Sequence, residues 1–226
     1  MLKKIILSSC VALSAFAAAP AQAVIITPGS SGLIFTPFVS ATQGTLLAST
    51  SVPLTGLTFS TIMRSAVYRN TLGTIDFYYQ VARTGAGTVA SDMIDAFTAA
   101  NFRTFTVDGF VSGMDPDGGG FFTAVNNPPS STTRTGRSAS GVVLQTDFGT
   151  NGLSGTETSA TYIFRTNATN FGRGTFGIID GSSVAGLAFA PAGVPEPAAW
   201  MFMIGGFGLV GAAMRRRTSR MASVIA

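Results

Sequence analysis

Hydrophobic and polar positions alternate along short segments between residues 24 and 190. The clearest case is segment 75–81, in which apolar side chains occupy every second position: Ile75, Phe77, Tyr79 and Val81. Asp76 and Gln80 lie between them. Because successive side chains of a strand point to opposite faces, this pattern predicts a half-buried β-strand with one apolar and one polar face.

Similar β-prone runs, separated by turn residues, recur through the same region. They cover residues 33–39, 45–52, 54–63, 74–82, 102–108, 121–125, 141–148, 159–166, 174–180 and 184–190. Many short strands at such spacing are typical of all-β proteins with two packed sheets. The sequence therefore predicts an all-β exported domain over residues 24–190, a single β-sandwich or jelly-roll-like fold.

One segment departs from the strand pattern, and two others predict loops. Five residues follow helical spacing behind a possible cap at Ser91: Ala90, Met93, Ile94, Phe97 and Ala100. They predict a short helix. Residues 115–120 have the composition of a turn, and residues 126–136, with two prolines and a Ser/Thr run, predict an exposed loop.

The first 23 residues have the three parts of a secretory signal peptide. Lys3 and Lys4 precede an apolar stretch at residues 5–19, and Ala21 and Ala23 close the segment as an A-x-A cleavage site. We therefore predict a signal peptide at residues 1–23 and a mature chain that begins at Val24. The alternative is an N-terminal anchor helix that is not cleaved.

A second apolar run, residues 198–214, lies near the other end of the chain. As a helix it would extend roughly 25 Å, close to the hydrocarbon thickness of a bilayer. Trp200 is placed as an interface anchor, and Arg215, Arg216 and Arg217 favour the cytoplasmic side. The run predicts a transmembrane helix with the body outside and an Arg-rich end, residues 215–220, inside; a buried core helix is the alternative.

The residues before this helix complete a three-part pattern. Pro195, Glu196 and Pro197 form an extended tripeptide, and the apolar run and the arginines follow it. In this order, residues 191–226 resemble the PEP-CTERM sorting signal of Gram-negative bacteria, with Met201 after Trp200 where the family usually has Ala.

The resemblance implies partners and a destination. It implies recognition by exosortase, a membrane peptidase, with Pro195, Glu196 and Pro197 as the recognition and cleavage region and the three arginines as the retention signal. It also implies a precursor anchored in the inner membrane, a product at the cell surface or in the extracellular matrix, and an association with exopolysaccharide and biofilm.

Composition limits the chemistry of the body. Six of the 14 Lys and Arg residues and one of the 10 Asp and Glu residues lie in the two terminal signals, so the body is near neutral and nothing indicates nucleic-acid binding. The chain has no His, and its one Cys, Cys10, lies in the signal peptide. These absences exclude nucleophilic sites that need His and zinc sites built from His or Cys.

Three kinds of chemistry remain open. A pair of carboxylates could hydrolyse a glycan. Asp115 and Asp117 could bind calcium, although they also suit an ordinary Asp-Pro-Asp-Gly turn. The 18 Phe and 4 Tyr residues could form a sugar-binding surface or fill the core.

These observations favour a structural or interaction protein over the other functions. We predict an exported, non-enzymatic protein that needs no cofactor, with a polysaccharide-binding module and a carboxylate-dependent glycan hydrolase as alternatives.

Overall fold

The computed structural model describes residues 23–39, 43–89, 91–116, 118–193, 203–207, 209–211 and 214. Within these residues the chain forms twelve strands: β1 (Val24–Ile25), β2 (Thr36–Pro37), β3 (Thr45–Thr55), β4 (Phe59–Arg69), β5 (Ile75–Ala86), β6 (Ala96–Ala99), β7 (Val107–Ser112), β8 (Arg134–Arg137), β9 (Leu144–Asp147), β10 (Thr161–Thr166), β11 (Asn170–Asp180) and β12 (Ser182–Ala192). The prediction of an all-β body is confirmed.

The strands form two sheets. The first has the order β1-β7-β10-β5-β4-β3, with β2 also paired to β7, and the second has the order β12-β11-β6-β9-β8. The β2–β7 pair is parallel, and the other strand pairs are antiparallel. Long hairpins therefore supply most of each sheet, since β3, β4 and β5 are consecutive and β11 turns directly into β12.

The turn between β4 and β5 shows how local sequence sets a hairpin. The Asn70 side-chain carbonyl accepts hydrogen bonds from the backbone amides of Leu72 and Thr74, at 3.0 and 3.2 Å. Gly73 adopts a φ of 80°, which a residue without a Cβ accepts at little cost. This turn fixes the pairing of β4 with β5.

Two predicted strands have different boundaries in the structure. The expected run 54–63 is interrupted, because the amide of Gly56 donates to the carbonyl of Phe59 and reverses the chain between β3 and β4. The expected run 102–108 is a loop up to Thr106, and β7 begins at Val107. There the amide of Phe105 donates to the carbonyl of Phe102 at 3.1 Å, so in both cases a turn bond overrides the β propensity of the side chains.

The predictions for three further segments were wrong. The expected helix at residues 90–100 contains β6, because Phe97 packs against aromatic rings of the core and the strand pairs with β11 on one side and β9 on the other. Residues 121–125 form a loop and not a strand. The expected exposed loop at residues 126–136 is not a loop throughout, because its last residues form the start of β8. It is also not fully exposed, because Thr133 and Thr135 are buried.

Aromatic side chains from both sheets meet in one core. Tyr79 of β5 lies 5.3 Å from Phe176 of β11, and Phe97 of β6 lies 5.3 Å from Tyr162 of β10, measured between ring centroids. Phe97 also stacks on Phe176 at 5.1 Å. Rings at these separations attract one another beyond the burial of their surface. The contacts of Tyr79 with Phe176 and of Phe97 with Tyr162 therefore hold the two sheets together, and the Phe97–Phe176 contact lies within the second sheet.

The second face of β5 is buried too, contrary to the prediction of a half-buried strand. A smaller apolar cluster on that face includes Tyr78, Phe110 and Phe122. The Gln80 amide group donates to the Thr123 carbonyl at 2.8 Å and accepts from the Thr123 amide at 3.0 Å. The polar face is buried because the loop around Phe122 covers it and satisfies its hydrogen bonds.

Candidate sorting signal and the polar groups of the body

The last strand leads directly to the expected sorting segment. β12 pairs with β11 along its whole length, up to the pairing of Ala192 with Asn170. The first sheet also holds this strand, because the Tyr79 hydroxyl donates to the Phe189 carbonyl and the Phe189 amide donates to the Ser65 hydroxyl at 3.2 Å. The body is therefore ordered up to the start of the C-terminal tail.

The residues predicted to carry sorting lie outside the described residues. They are Pro195, Glu196, Pro197, Trp200, Arg215, Arg216 and Arg217. Of the predicted transmembrane run, residues 203–207, 209–211 and 214 are described, and these are helical and exposed. Among the described residues, no helix combines the length and apolar character that a membrane crossing needs.

At the other end of the body, the predicted cleavage site borders the first strand. Ala21 lies outside the described residues, whereas Ala23 packs, partly buried, against the cluster that contains Tyr78. Val24 is the first residue of β1 and pairs with Gly109. Cleavage after Ala23 stays a prediction.

A buried arginine fastens this N-terminal segment to the second sheet. Arg137 is 5% exposed and donates to the Ile26 carbonyl at 3.2 Å and to the Gly141 carbonyl at 3.0 Å. It also donates to the carbonyls of Phe102 and Phe105. Burial lowers the pKa of Arg137 from its ordinary value. Because its donors are used on backbone oxygens, this arginine has a structural role.

The sequence offered Asp115 and Asp117 as calcium ligands. Asp115, the one of the two that the structure describes, holds a turn. Asp115 accepts a hydrogen bond from the Gly120 amide at 2.9 Å, and Asp117 lies outside the described residues. Within the described ranges, no group of three or more metal-binding side chains is close enough to hold an ion.

One carboxylate forms a buried ion pair. The Arg165 guanidinium lies 3.1 Å from Asp76, whose side chain has no solvent exposure, and Asn70 donates to the same carboxylate at 2.7 Å. Burial raises the pKa of Asp76 and outweighs the opposing effects of Arg165 and Asn70. The pair joins β5 to β10 inside the first sheet, and its carboxylate is closed to solvent.

Other carboxylates hold turns. Glu157 accepts hydrogen bonds from the Ser154 amide at 2.7 Å and from the Asn127 side chain at 2.9 Å. Partial burial would raise the pKa of Glu157, but these hydrogen bonds lower it overall. Asp147 likewise accepts from the Gly149 amide at 2.7 Å. These contacts are those of turn residues and not of a catalytic pair.

A cleft of about 340 Å³ lies beside β8 and β9. Arg134, Gln145 and Asp147 line it, together with Ser30, whose hydroxyl is buried without a hydrogen-bond partner among the described residues. This cleft was not predicted from the sequence, because residue 134 was expected to lie in a loop. Alternation within residues 134–137 and 144–147 predicts which residues of each segment share a face, but only the register of β8 with β9 brings Arg134 opposite Asp147.

The aromatic rings build the core rather than a surface. Within the described part of residues 23–193, no Phe or Tyr side chain is fully exposed. The most accessible rings are half-buried: Phe38, Phe105, Phe121 and Phe171. A sugar-binding face made of exposed rings is therefore not present on this part of the molecule.

Comparison with known proteins assigns the tail. The family model of the PEP-CTERM protein-sorting motif matches residues 193–217. No match to the chain was found among curated proteins or among solved structures. The motif implies an exported protein of a Gram-negative bacterium, with a precursor that passes the membrane and is sorted through exosortase. The chain is therefore a PEP-CTERM sorting domain-containing protein.

Proposed function

We propose that this protein is a structural or interaction component of the cell surface or extracellular matrix, without enzymatic activity or a cofactor. The observation that carries the proposal is the sorting motif at residues 193–217, which begins directly after the last strand of a β-rich body. In such an arrangement the tail directs the chain to the envelope and the body acts there.

The chemistry of the body supports a non-enzymatic role. The chain has no His, and Lys3 and Lys4 are its only lysines, so general base and nucleophile would have to come from carboxylates or hydroxyl groups. Asp76, Glu157 and Asp147 are already engaged in structural contacts. The carboxylate-dependent hydrolase is therefore the least favoured alternative.

The proposal includes the finer architecture of the precursor. We take the two sheets as a jelly-roll-like β-sandwich, which the contact of Tyr79 with Phe176 across the core supports. Residues 1–23 are removed as a signal peptide, residues 24–190 form the exported domain, and residues 198–214 of the sorting tail cross the inner membrane. Arg215, Arg216 and Arg217 keep the end of the tail in the cytoplasm.

Processing can be tested in the native host. A strain that lacks exosortase and its parent are compared by immunoblotting and by the intact mass of the exported protein. We expect a shorter product in the parent alone, with a C-terminus near residues 195–197. Glu196→Ala in the parent should accumulate the longer form, and Glu157→Ala, which leaves the motif intact, should not.

The outcomes distinguish a tail that is cleaved from a tail that stays on the protein. Products of equal mass in both strains would show that the tail stays on the protein as a plain anchor. A product that is shortened at the expected place but remains in the cytoplasm would contradict a role at the cell surface or in the matrix.

Polysaccharide binding is the second candidate function, and the cleft beside β8 and β9 favours it. Arg134 donates from one nitrogen to the carbonyls of Ser131 and Thr133, at 2.6 and 2.9 Å, which leaves the other nitrogens available. The Gln145 side chain makes no hydrogen bond to the described residues. Cation, amide and carboxylate groups together can donate to and accept from sugar hydroxyls.

Glycan-array binding tests this candidate. If the cleft binds a matrix polysaccharide, Arg134→Gln and Gln145→Ala should each weaken binding at least tenfold. Arg103→Gln, which removes a positive charge from the neighbouring cleft beside Asn101 and Arg173, serves as the matched control. Equal binding by all variants would remove this candidate. Turnover of a glycan that a single Asp→Asn change abolishes would favour the hydrolase instead.

A further inference from the structure

A second cleft, of about 440 Å³, lies where the chain leaves the last strand of the body. Arg103 and Arg173 line it, together with Ala192 and Gly193, which directly precede the sorting segment. No acidic side chain is among the described residues that line it. This tail-side cleft therefore carries positive charge that its own walls do not balance.

Strands β6 and β11 bring the two arginines to this cleft from distant parts of the sequence. Just after β6, the Ala100 amide donates to the Thr175 carbonyl of β11 at 3.0 Å. The chain then bends at Asn101, which has a φ of 77°, and the bend leads to Arg103. Arg103 thus lies at the same end of the second sheet as Arg173, beside the start of the tail.

The guanidinium groups of this cleft are accessible and oriented. Both arginines are exposed, and the carbon atom of the Arg173 guanidinium lies 4.1 Å from the centroid of the Phe189 ring, a contact that favours one orientation. Neither Arg103 nor Arg173 forms an ion pair or donates a side-chain hydrogen bond to a described residue. Their planar edges can therefore donate to the oxygens of a phosphate group.

The position of the cleft indicates which anion would reach it. Gly193 lines the cleft and the predicted transmembrane run begins at residue 198, so at most about 18 Å of extended chain separates the two. Lipid headgroups occupy a layer roughly 5–8 Å deep outside the hydrocarbon. A tether this short keeps the cleft at a high effective concentration of headgroup phosphates.

We propose that Arg103 and Arg173 bind the phosphate group of an anionic phospholipid in the outer leaflet of the inner membrane. This role rests on the membrane crossing of residues 198–214 in the proposed function. Phe105 and Val142, both half-buried, give the cleft an apolar wall that suits the glycerol part of the lipid. The contact would hold the body of the precursor against the membrane in one orientation until the tail is cut.

Chemical modification of the full chain in nanodiscs tests the site. The nanodiscs contain either phosphatidylcholine alone or an equal mixture of phosphatidylcholine and phosphatidylglycerol. Phenylglyoxal modifies accessible guanidinium groups, and mass spectrometry gives the rate at each arginine. Because each arginine near an anionic surface strengthens binding by about fivefold, Arg103 and Arg173 should react at least about threefold more slowly in the mixed nanodiscs.

Arg134 is the matched control. Strand register across β8, β9, β6 and β11 places it level with Ile179, about 20 Å along β11 from Arg173 and away from the tail. Its rate should be the same in both nanodiscs. Arg103→Gln, at an exposed position, should largely remove the protection of Arg173, whereas Arg134→Gln should leave it intact.

The outcomes separate this proposal from the proposed function. If the chain inserts into both nanodiscs but Arg103 and Arg173 react equally fast in them, lipid binding is refuted and the sorting role is not affected. Equal slowing of Arg134, or full protection of Arg173 in Arg103→Gln, would also refute it. A chain that inserts into neither nanodisc would contradict the membrane crossing and this role together.

Discussion

Replacing Tyr79 with Phe tests the hydrogen bond that joins the two sheets at β12. The Tyr79 hydroxyl, on β5 of the first sheet, donates to the backbone carbonyl of Phe189 in the second sheet. Tyr79 has no solvent exposure, and Phe189 is 7% exposed. Water therefore cannot replace the lost donor, and the carbonyl oxygen would remain buried without it.

The expected cost follows from that burial. A buried acceptor that loses its donor costs about 1–3 kcal/mol. We expect Tyr79→Phe to lower the free energy of unfolding by about 2 kcal/mol, which corresponds to a fall in Tm of about 4–8 °C for a body of this length. The ring itself is retained, so the contacts of Tyr79 with Phe176 and Phe97 should not change.

Near-UV circular dichroism during thermal unfolding of the exported protein measures this difference. Tyr162→Phe is the matched control, because Tyr162 is also buried but its hydroxyl makes no hydrogen bond to the described residues. We expect the control to change stability by less than about 0.5 kcal/mol. Equal Tm values for the two variants would refute the reasoning, because they would show that the bond to Phe189 contributes nothing.

Three other predictions concern packing, backbone space and pH. Phe97→Ala should destabilise the body by about 3–5 kcal/mol in urea unfolding and Phe97→Leu by clearly less, because the ring stacks on Phe176 at 5.1 Å; similar midpoints would contradict this packing. A Cβ at Gly87 would lie 2.3 Å from the Leu57 carbonyl oxygen, so Gly87→Ala should cost about 1–3 kcal/mol, whereas Gly113→Ala, with nothing within 4 Å, should be tolerated. Burial raises the pKa of Asp108, so its contribution to stability is fully present below its unfolded pKa of about 4 and is lost as pH rises through the folded pKa. Urea midpoints at pH 4.5 and 7.5 should therefore differ less in Asp108→Asn than in the wild type.

Periodicity predicted the strands of the long hairpins well. The runs at 74–82, 174–180 and 184–190 correspond to β5, β11 and β12, because alternating apolar residues in these segments face a common core. The strands extend further than predicted, since Gly and Thr at their ends can join a ladder without an apolar pattern. Backbone pairing across a hairpin sets those limits, and no single segment encodes it.

The helix prediction failed for a physical reason. Residues 90–100 contain an apolar set with helical spacing, but Phe97 also fits a gap between Tyr162 and Phe176, and the neighbouring strands offer pairing on both sides. Tertiary packing and two ladders of hydrogen bonds outweigh a weak local preference. The burial of the polar face of β5 could not be predicted from the sequence either. The hydrogen bonds of the Gln80 side chain are made by Thr123, which is distant in the sequence.

The sequence was most informative about the tail and least informative about the body. The order of Pro195, Glu196 and Pro197, an apolar run and three arginines is a local pattern, and a family model matches it at residues 193–217. The pairing of Phe97 with Ile178 depends instead on strand register between distant segments. A single sequence contains no direct signal for such a pair.

The short distance between β12 and the sorting motif has a consequence for the order of events during export. The ladder of the last hairpin continues to Ala192, and Glu196 follows after only three intervening residues, a reach of at most about 14 Å even when fully extended. A peptidase that cuts in this region has very little clearance beside a completed sheet. Either its active site tolerates a bulky neighbour at close range, or it acts while the final hairpin is still open. In the second case, the speed of folding would determine how much precursor escapes maturation.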